Sequence, residues 1–320
     1  MNETSASERM STGSSSSTGP HLEAGTASSA GSSRPTTLLR TRALAARRPI
    51  AAFIILTYVI GWATQLGAFQ LGLPAMPSLW AGAVLGLLMP AVLVTAAVNG
   101  KAGVRDLLQR SLRWRVGAGW YLLAVLGLLV TSVLVASLFL GGTPLVALVQ
   151  KWPLFFTAFL PELLMAFVLI QLSEETAWTG FMQDRLQDSH GPLLACILVA
   201  PAFSGWHLMA NVLEAGQVSV EPFAKLAAQI VMSIFFRVVI MWLYNGAGRS
   251  VLIAALFHSA FNSATGSGDM EYTSELISGP LSQLAPVAIL ALAATVIVVS
   301  TKGRLGYQHP MRSLSISRVR

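Results

Sequence analysis

The stretch AGWYLLAVLGLLVTSVLVASLFL, residues 118–140, decides the fold class. It holds no charged side chain. At 1.5 Å per residue a helix of this length rises roughly 34 Å, enough to cross the ~30 Å hydrocarbon core of a bilayer. Comparable apolar runs recur on both sides of it, at about 50–70, 79–98, 154–176, 191–211, 224–244, 250–266 and 283–300. The run at 250–266 is short, and only the turn Asn245-Gly246-Ala247-Gly248 divides it from the run before. The chain is therefore expected to be all-α, a polytopic membrane protein of about eight transmembrane helices.

Composition agrees. Of 320 residues, 54% are hydrophobic and 11% charged, and mean hydropathy is +0.63. Soluble domains carry roughly 25% charged residues. The net charge of +7 would suit a nucleic-acid partner, but the arginines sit beside apolar segments, as topology signals do. The bilayer, not nucleic acid, is the expected partner. The single cysteine, Cys196, excludes an intrachain disulfide and a cysteine-based zinc cluster. In its apolar run it reads as a small packing residue.

Three regions follow. Residues 1–48 read as a disordered cytoplasmic tail, rich in Ser, Thr, Gly and Ala up to 37 and basic at Arg40, Arg42, Arg47 and Arg48. The apolar run behind those arginines is too long for a secretory signal and reads as the first span. Residues 49–301 form the transmembrane domain, and 302–320 a cytoplasmic C-terminal tail.

Charge bias tests the count. Loop 99–117 holds Lys101, Arg105, Arg110, Arg113 and Arg115, and the chain after 301 holds Lys302, Arg304, Arg312, Arg318 and Arg320. With the N-terminal arginines, these share one side if the number of spans is even. On the other side, loop 71–78 is uncharged and loop 267–282 carries Asp269, Glu271 and Glu275. The positive-inside rule then places both termini in the cytoplasm of a multi-pass membrane protein. Residues 101–115 are either an ordinary positive loop or a short amphipathic helix, with Val104, Leu107, Leu108 and Leu112 toward lipid.

Ionisable side chains at bilayer depth are costly and usually mark function. Glu174-Glu175 ends the run at 154–176, His207 lies in the next, and His258 in a later one. Adjacent helical residues point about 100° apart, so only one glutamate can face a given cavity. A partly desolvated carboxylate there can act as a general base on water. The plainer alternative is an acidic pair meeting water at the membrane boundary. His258 and Asn262, at i,i+4, share a helix face, where imidazole and carboxamide can hold a water or stabilise an oxyanion. Taken singly, each histidine reads equally as a hydrogen-bonded packing residue. Two histidines and a glutamate make a plausible zinc set. However, there is no HExxH, and the three sit on different helices. No cofactor is indicated, and a divalent metal at this cluster stays open.

Together, Glu174-Glu175, Phe203…His207 and His258…Asn262 resemble the CAAX prenyl protease and bacteriocin-processing (CPBP, or Abi) family of intramembrane proteases. That family carries EExxxR, FxxxH and HxxxN motifs in this order on successive membrane helices. The surroundings Trp178, Gly180, Phe181 and Tyr244-Asn245-Gly246-Ala247-Gly248-Arg249-Ser250 are similar too. The resemblance covers about 165–265, a third of the chain. It implies an endopeptidase acting on a peptide or membrane-protein substrate without a covalent intermediate. Glu174 would activate a water and Glu175 tune it or bind the scissile region. His207 would orient the water or shuttle a proton, and His258 and Asn262 would stabilise the oxyanion. Ser173, Ser204 and Ser259 beside the motifs lack a paired base and read as packing or hydrogen-bonding residues.

One position departs from the family. Its motif arginine falls at Thr179, which cannot supply bidentate charge-assisted contacts. Arg237 in the sixth span is a substitute in space, or else a snorkelling or bundle-facing arginine paired to a glutamate. Loss of the arginine keeps a second function in view: a catalytically impaired scaffold, chaperone or bacteriocin-immunity protein. A proton-coupled transporter is a third, which the absence of an internal repeat disfavours. Prenylation of the substrate is not required by any residue seen.

Depth poses a condition. His258 and Asn262 lie roughly 12–18 Å from the cytoplasmic start of their span, but His207 roughly 24 Å from the start of its own. The two meet only if the fifth span begins outside the membrane plane or tilts strongly. The polar cavity is expected to open toward the cytoplasm.

Overall fold

The computed structural model describes residues 46–265 and 272–308. The expected N-terminal tail, apart from residues 46–48, lies outside them. So do Asp269, Glu271 and residues 309–320 of the C-terminal tail.

Every long element is a helix. In chain order they are α1 (Pro49–Gln70), α2 (Pro77–Ser111), α3 (Ala118–Phe139), α4 (Thr143–Gln150), α5 (Trp152–His190), α6 (Pro192–Trp206), α7 (Leu208–Ala215), α8 (Val220–Gly246), α9 (Val251–Thr265), α10 (Tyr272–Leu276) and α11 (Leu281–Thr301). Seven of the continuous helical stretches, α6 and α7 counting as one, are long and apolar enough to cross a membrane. The shorter α9 brings the bundle to the eight expected.

Two helices overrun their apolar runs. α2 continues beyond residue 98 through a break at Gly100, whose φ of 64° and ψ of −161° redirect the chain. The segment behind it is helical, as the amphipathic reading expected, but it does not face lipid throughout. Leu107 is fully buried and Arg110 nearly so, while Leu108 and Leu112 are exposed. α5 does not stop near 176. It continues to His190, widened at Phe155–Phe159, Phe167–Gln171 and Thr176–Gln183 into turns with i→i+5 hydrogen bonds. Such turns recur at functional sites. Gly191, at φ 80°, then reverses the chain, and Pro192 opens α6 with its ring already set for a helical first turn.

This hairpin satisfies the depth condition. Glu175 and His207 each lie sixteen residues from Gly191, so antiparallel packing of α5 on α6 brings them level. α9 starts deeper. A side-chain carbon placed on Gly180 would sit 3.1 Å from Val251, so the start of α9 is level with residue 180. The seven residues from Val251 to His258 then carry the imidazole back to the glutamates. The α8–α9 turn is pinned there by Arg113, which donates to the Gly248 carbonyl (2.6 Å), and by Ser250, which donates to the Arg113 carbonyl (2.6 Å).

Nearly every residue of α9 is buried. It lies against α3, α5, α8 and α11, screened from lipid, so it need not span the core itself and its polar residues meet protein. Helices in a bilayer gain no hydrophobic drive from meeting one another, so close packing through small residues matters. Gly61 and Gly86 form a slot for the Trp206 ring: a side-chain carbon on either would lie 1.8 or 2.5 Å from it.

Candidate active site

Glu174 and Glu175 sit where α5 changes to its last widened turn. Their side chains diverge. Glu175 is fully buried and points into the bundle, and Glu174, 5% exposed, lines a cavity of about 790 Å³. The plainer alternative, an acidic pair meeting water where its helix ends, does not fit this placement. Fifteen more helical residues follow Glu175, and both carboxylates are buried.

Glu175 is held from three sides. Arg237 on α8 donates from Nη1 to Oε2 (2.9 Å) and from Nη2 to Oε1 (3.1 Å), a bidentate pair with no solvent exposure on either side chain. Thr179 donates its hydroxyl to Oε2. His258 Nδ1 lies 2.8 Å from Oε1 and 3.8 Å from Glu174 Oε2. An ionised, arginine-bound carboxylate only accepts, so Nδ1 carries the proton of that contact and Nε2 is left for other partners.

Arg237 follows the bundle-facing alternative left by the sequence. It is bundle-facing and paired, and it also reaches the position where the family has its arginine. Its Nη1 lies 3.3 Å from Thr179 Oγ1. The guanidinium stacks over Phe203, 4.0 Å from the ring centroid. Desolvated cation–π contacts of this kind are worth about 2 kcal/mol. The phenylalanine of the FxxxH motif is thus the platform on which this arginine rests.

His207 occupies a step between α6 and α7. Its N–H bonds to the Ser204 carbonyl three residues back, tightening the turn. α1 braces the step: Tyr58 donates to the Ala202 carbonyl (2.8 Å) and Trp62 to the Trp206 carbonyl (3.2 Å). The His207 ring meets Phe203 edge-on at 5.2 Å, and Phe203 lies 5.8 Å from His258. Glu174, His207, His258 and Asn262 all line the one cavity. Glu175 does not. Among the described residues no group of three His, Cys, Asp or Glu is gathered tightly enough to hold a metal ion.

A second polar cluster was not foreseen. Arg110, in sequence one positive charge among several in its loop, donates from Nη1 to the Gly180 carbonyl (3.0 Å), Asp184 Oδ2 (3.0 Å) and Tyr244 OH (2.7 Å). Tyr244 donates to Asp184 Oδ1 (3.0 Å), and Arg249 pairs with the same carboxylate. The cluster ties α2, α5, α8 and the α8–α9 turn together one to two turns beyond the glutamates. Its sequence signal is Asp184 beyond the end of an apolar run, close to Arg185 and Asp188 of the same helix.

A carboxylate, two histidines and a carboxamide thus line one cavity inside the helix bundle. Residues 156–264, about a third of the chain, match the family described as Rce1-like, type II CAAX prenyl endopeptidase. Over that segment the chain is similar to this family, and the match takes in both glutamates, both histidines and Asn262. No curated protein matches the chain.

Proposed function

We propose that the chain is an endopeptidase in which Glu174 activates the attacking water. The supporting observation is the division of labour between the glutamates. Glu175 is committed to Arg237, Thr179 and His258, whereas Glu174 faces the cavity with no arginine on it. Glu174 takes the water's proton as the oxygen attacks the scissile carbonyl. Asn262 and, when protonated at Nε2, His258 donate to the oxyanion that forms. As the C–N bond breaks, the proton held by Glu174 passes to the leaving nitrogen. His207, which lines the same cavity, orients the water. Arg237 stands in for the family arginine, so Thr179 is compatible with activity and the scaffold reading loses its main support. Both chain ends lie in the cytoplasm, by the arginine bias of their end of the bundle. The substrate is a peptide or a membrane-protein segment.

Cleavage of a quenched peptide library by purified protein in detergent tests this. Activity in the parent that Glu174→Ala and His258→Ala both abolish is expected. A folded, monodisperse parent that cleaves nothing would overturn the proposal and favour the scaffold.

A further inference from the structure

The cavity has a direction. From Glu174 and His258 it follows Gln171 and Ala166 to Glu162 on α5, Asn211 to Glu214 on α7, and Gln229 to Lys225 on α8. All three paths lead to the end of the bundle that holds the α7–α8 connection. The described chain ends lie at the other end. There Asn245 donates to the Leu305 carbonyl (3.0 Å) and Tyr307 donates to Asp188 (2.6 Å). The cavity therefore opens away from the chain ends, contrary to the expectation that it opens on their side.

The two ends differ in charge. The closed end exposes Lys101, Arg105, Arg113, Arg115, Lys302 and Arg304. Among the described residues the open end has no arginine, and its lysines are engaged: Lys225 with Glu214 (2.6 Å) and Lys151 with Glu275 (2.8 Å). Lysine and arginine mark the cytoplasmic side. One cavity-wall group also points to the occupant. Gln171, 4% exposed and one turn before Glu174, has an Oε1 with no hydrogen-bond partner among the described residues. A buried carbonyl acceptor calls for a donor, and a peptide N–H supplies one.

Resting on the protease reading above, we infer that the cavity is entered from the extracytoplasmic side of the bilayer by an extended polypeptide, and that Gln171 accepts a backbone N–H of that polypeptide beside the scissile bond. The substrate class is then an exported peptide, or a membrane-protein segment presented at the outer leaflet. Gln171 is a positioning residue for it.

Cysteine accessibility in intact cells tests the direction. Cys196 is the sole cysteine and is fully buried, so the parent is the unlabelled control. Glu214→Cys and Gln217→Cys stand at the open end and Lys302→Cys at the closed one, all three exposed. A membrane-impermeant maleimide is expected to label the first two in intact cells, and Lys302→Cys only after permeabilisation. Labelling of Lys302→Cys in intact cells, with the other two protected, overturns the direction. This readout needs no catalysis, so it separates from failure of the protease reading, which the peptide assay reports. For Gln171, Gln171→Met should raise KM about tenfold with kcat held, the loss of one hydrogen bond worth about 1.4 kcal/mol. A fall in kcat with KM unchanged overturns that role.

Discussion

Replacing Arg237 by methionine keeps most of the side-chain volume and removes the charge. Glu175 would then be a fully buried carboxylate with only Thr179 and His258 as donors. Breaking a buried pair by removing one partner costs about 3–5 kcal/mol, because the other charge is left uncompensated. Loss of the guanidinium from the Phe203 face adds about 0.5–2 kcal/mol. Arg237→Met is therefore expected to lose on the order of 5 kcal/mol. Glu175→Gln alone strands the arginine and should cost a similar amount. The double variant strands neither charge, so its cost should fall well short of the sum, with a coupling of about 3 kcal/mol. Reversible unfolding in detergent micelles, followed by far-UV circular dichroism across a denaturing-detergent titration, measures all four corners of the cycle. Additive single effects, or a cost below about 1 kcal/mol for Arg237→Met, would show that the pair is not the electrostatic centre inferred here.

Further expectations separate chemistry from support. Glu174→Gln should lower peptide cleavage by about 10²–10⁴ while the unfolding midpoint holds, since Glu174 carries no arginine. Asn262→Ala should lower kcat about 10²–10³ with little change in KM, read from steady-state kinetics, as the loss of one oxyanion donor does. Asp184→Ala leaves the buried Arg110 only the largely exposed Asp106 as a carboxylate partner and should cost about 3 kcal/mol in the micelle titration, without shifting the cleavage site seen by mass spectrometry. Thr179→Arg, which recreates the family motif, should destabilise the parent by placing a second guanidinium beside Arg237. Two like charges about 4 Å apart repel by about 4 kcal/mol at an effective dielectric of 20. The same substitution should be tolerated in the Arg237→Met background.

The spans were legible because apolar length is a local property, and the three motifs because each carries a polar residue where lipid would forbid one. What escaped the sequence depends on burial of polar groups against each other. α5 outlasts its apolar run since Asp184 and Gln187 are satisfied by Arg110, Tyr244 and Asn245 rather than by water. Hydropathy ends a helix where its lipid-facing composition ends. It has no means to see a helix continue against protein. The same blindness left open an acidic pair at a helix end and expected the cavity at the end of the bundle that holds the chain ends. Depth was counted from apolar limits that, for α5 and α9, are not the helix positions that matter.

The exchange at residue 179 follows from the same physics. A buried carboxylate needs a compensating cation, but the backbone position that supplies it is free to vary. What is constrained is the point in space beside Glu175. Here that point is reached from α8, across Phe203, with the threonine hydroxyl filling the shorter gap on α5. A linear motif records only one of the routes to that point. A missing letter in EExxxR therefore removes a route, whereas loss of function requires the point itself to be empty. On the reading proposed above, Arg237 fills it in this chain.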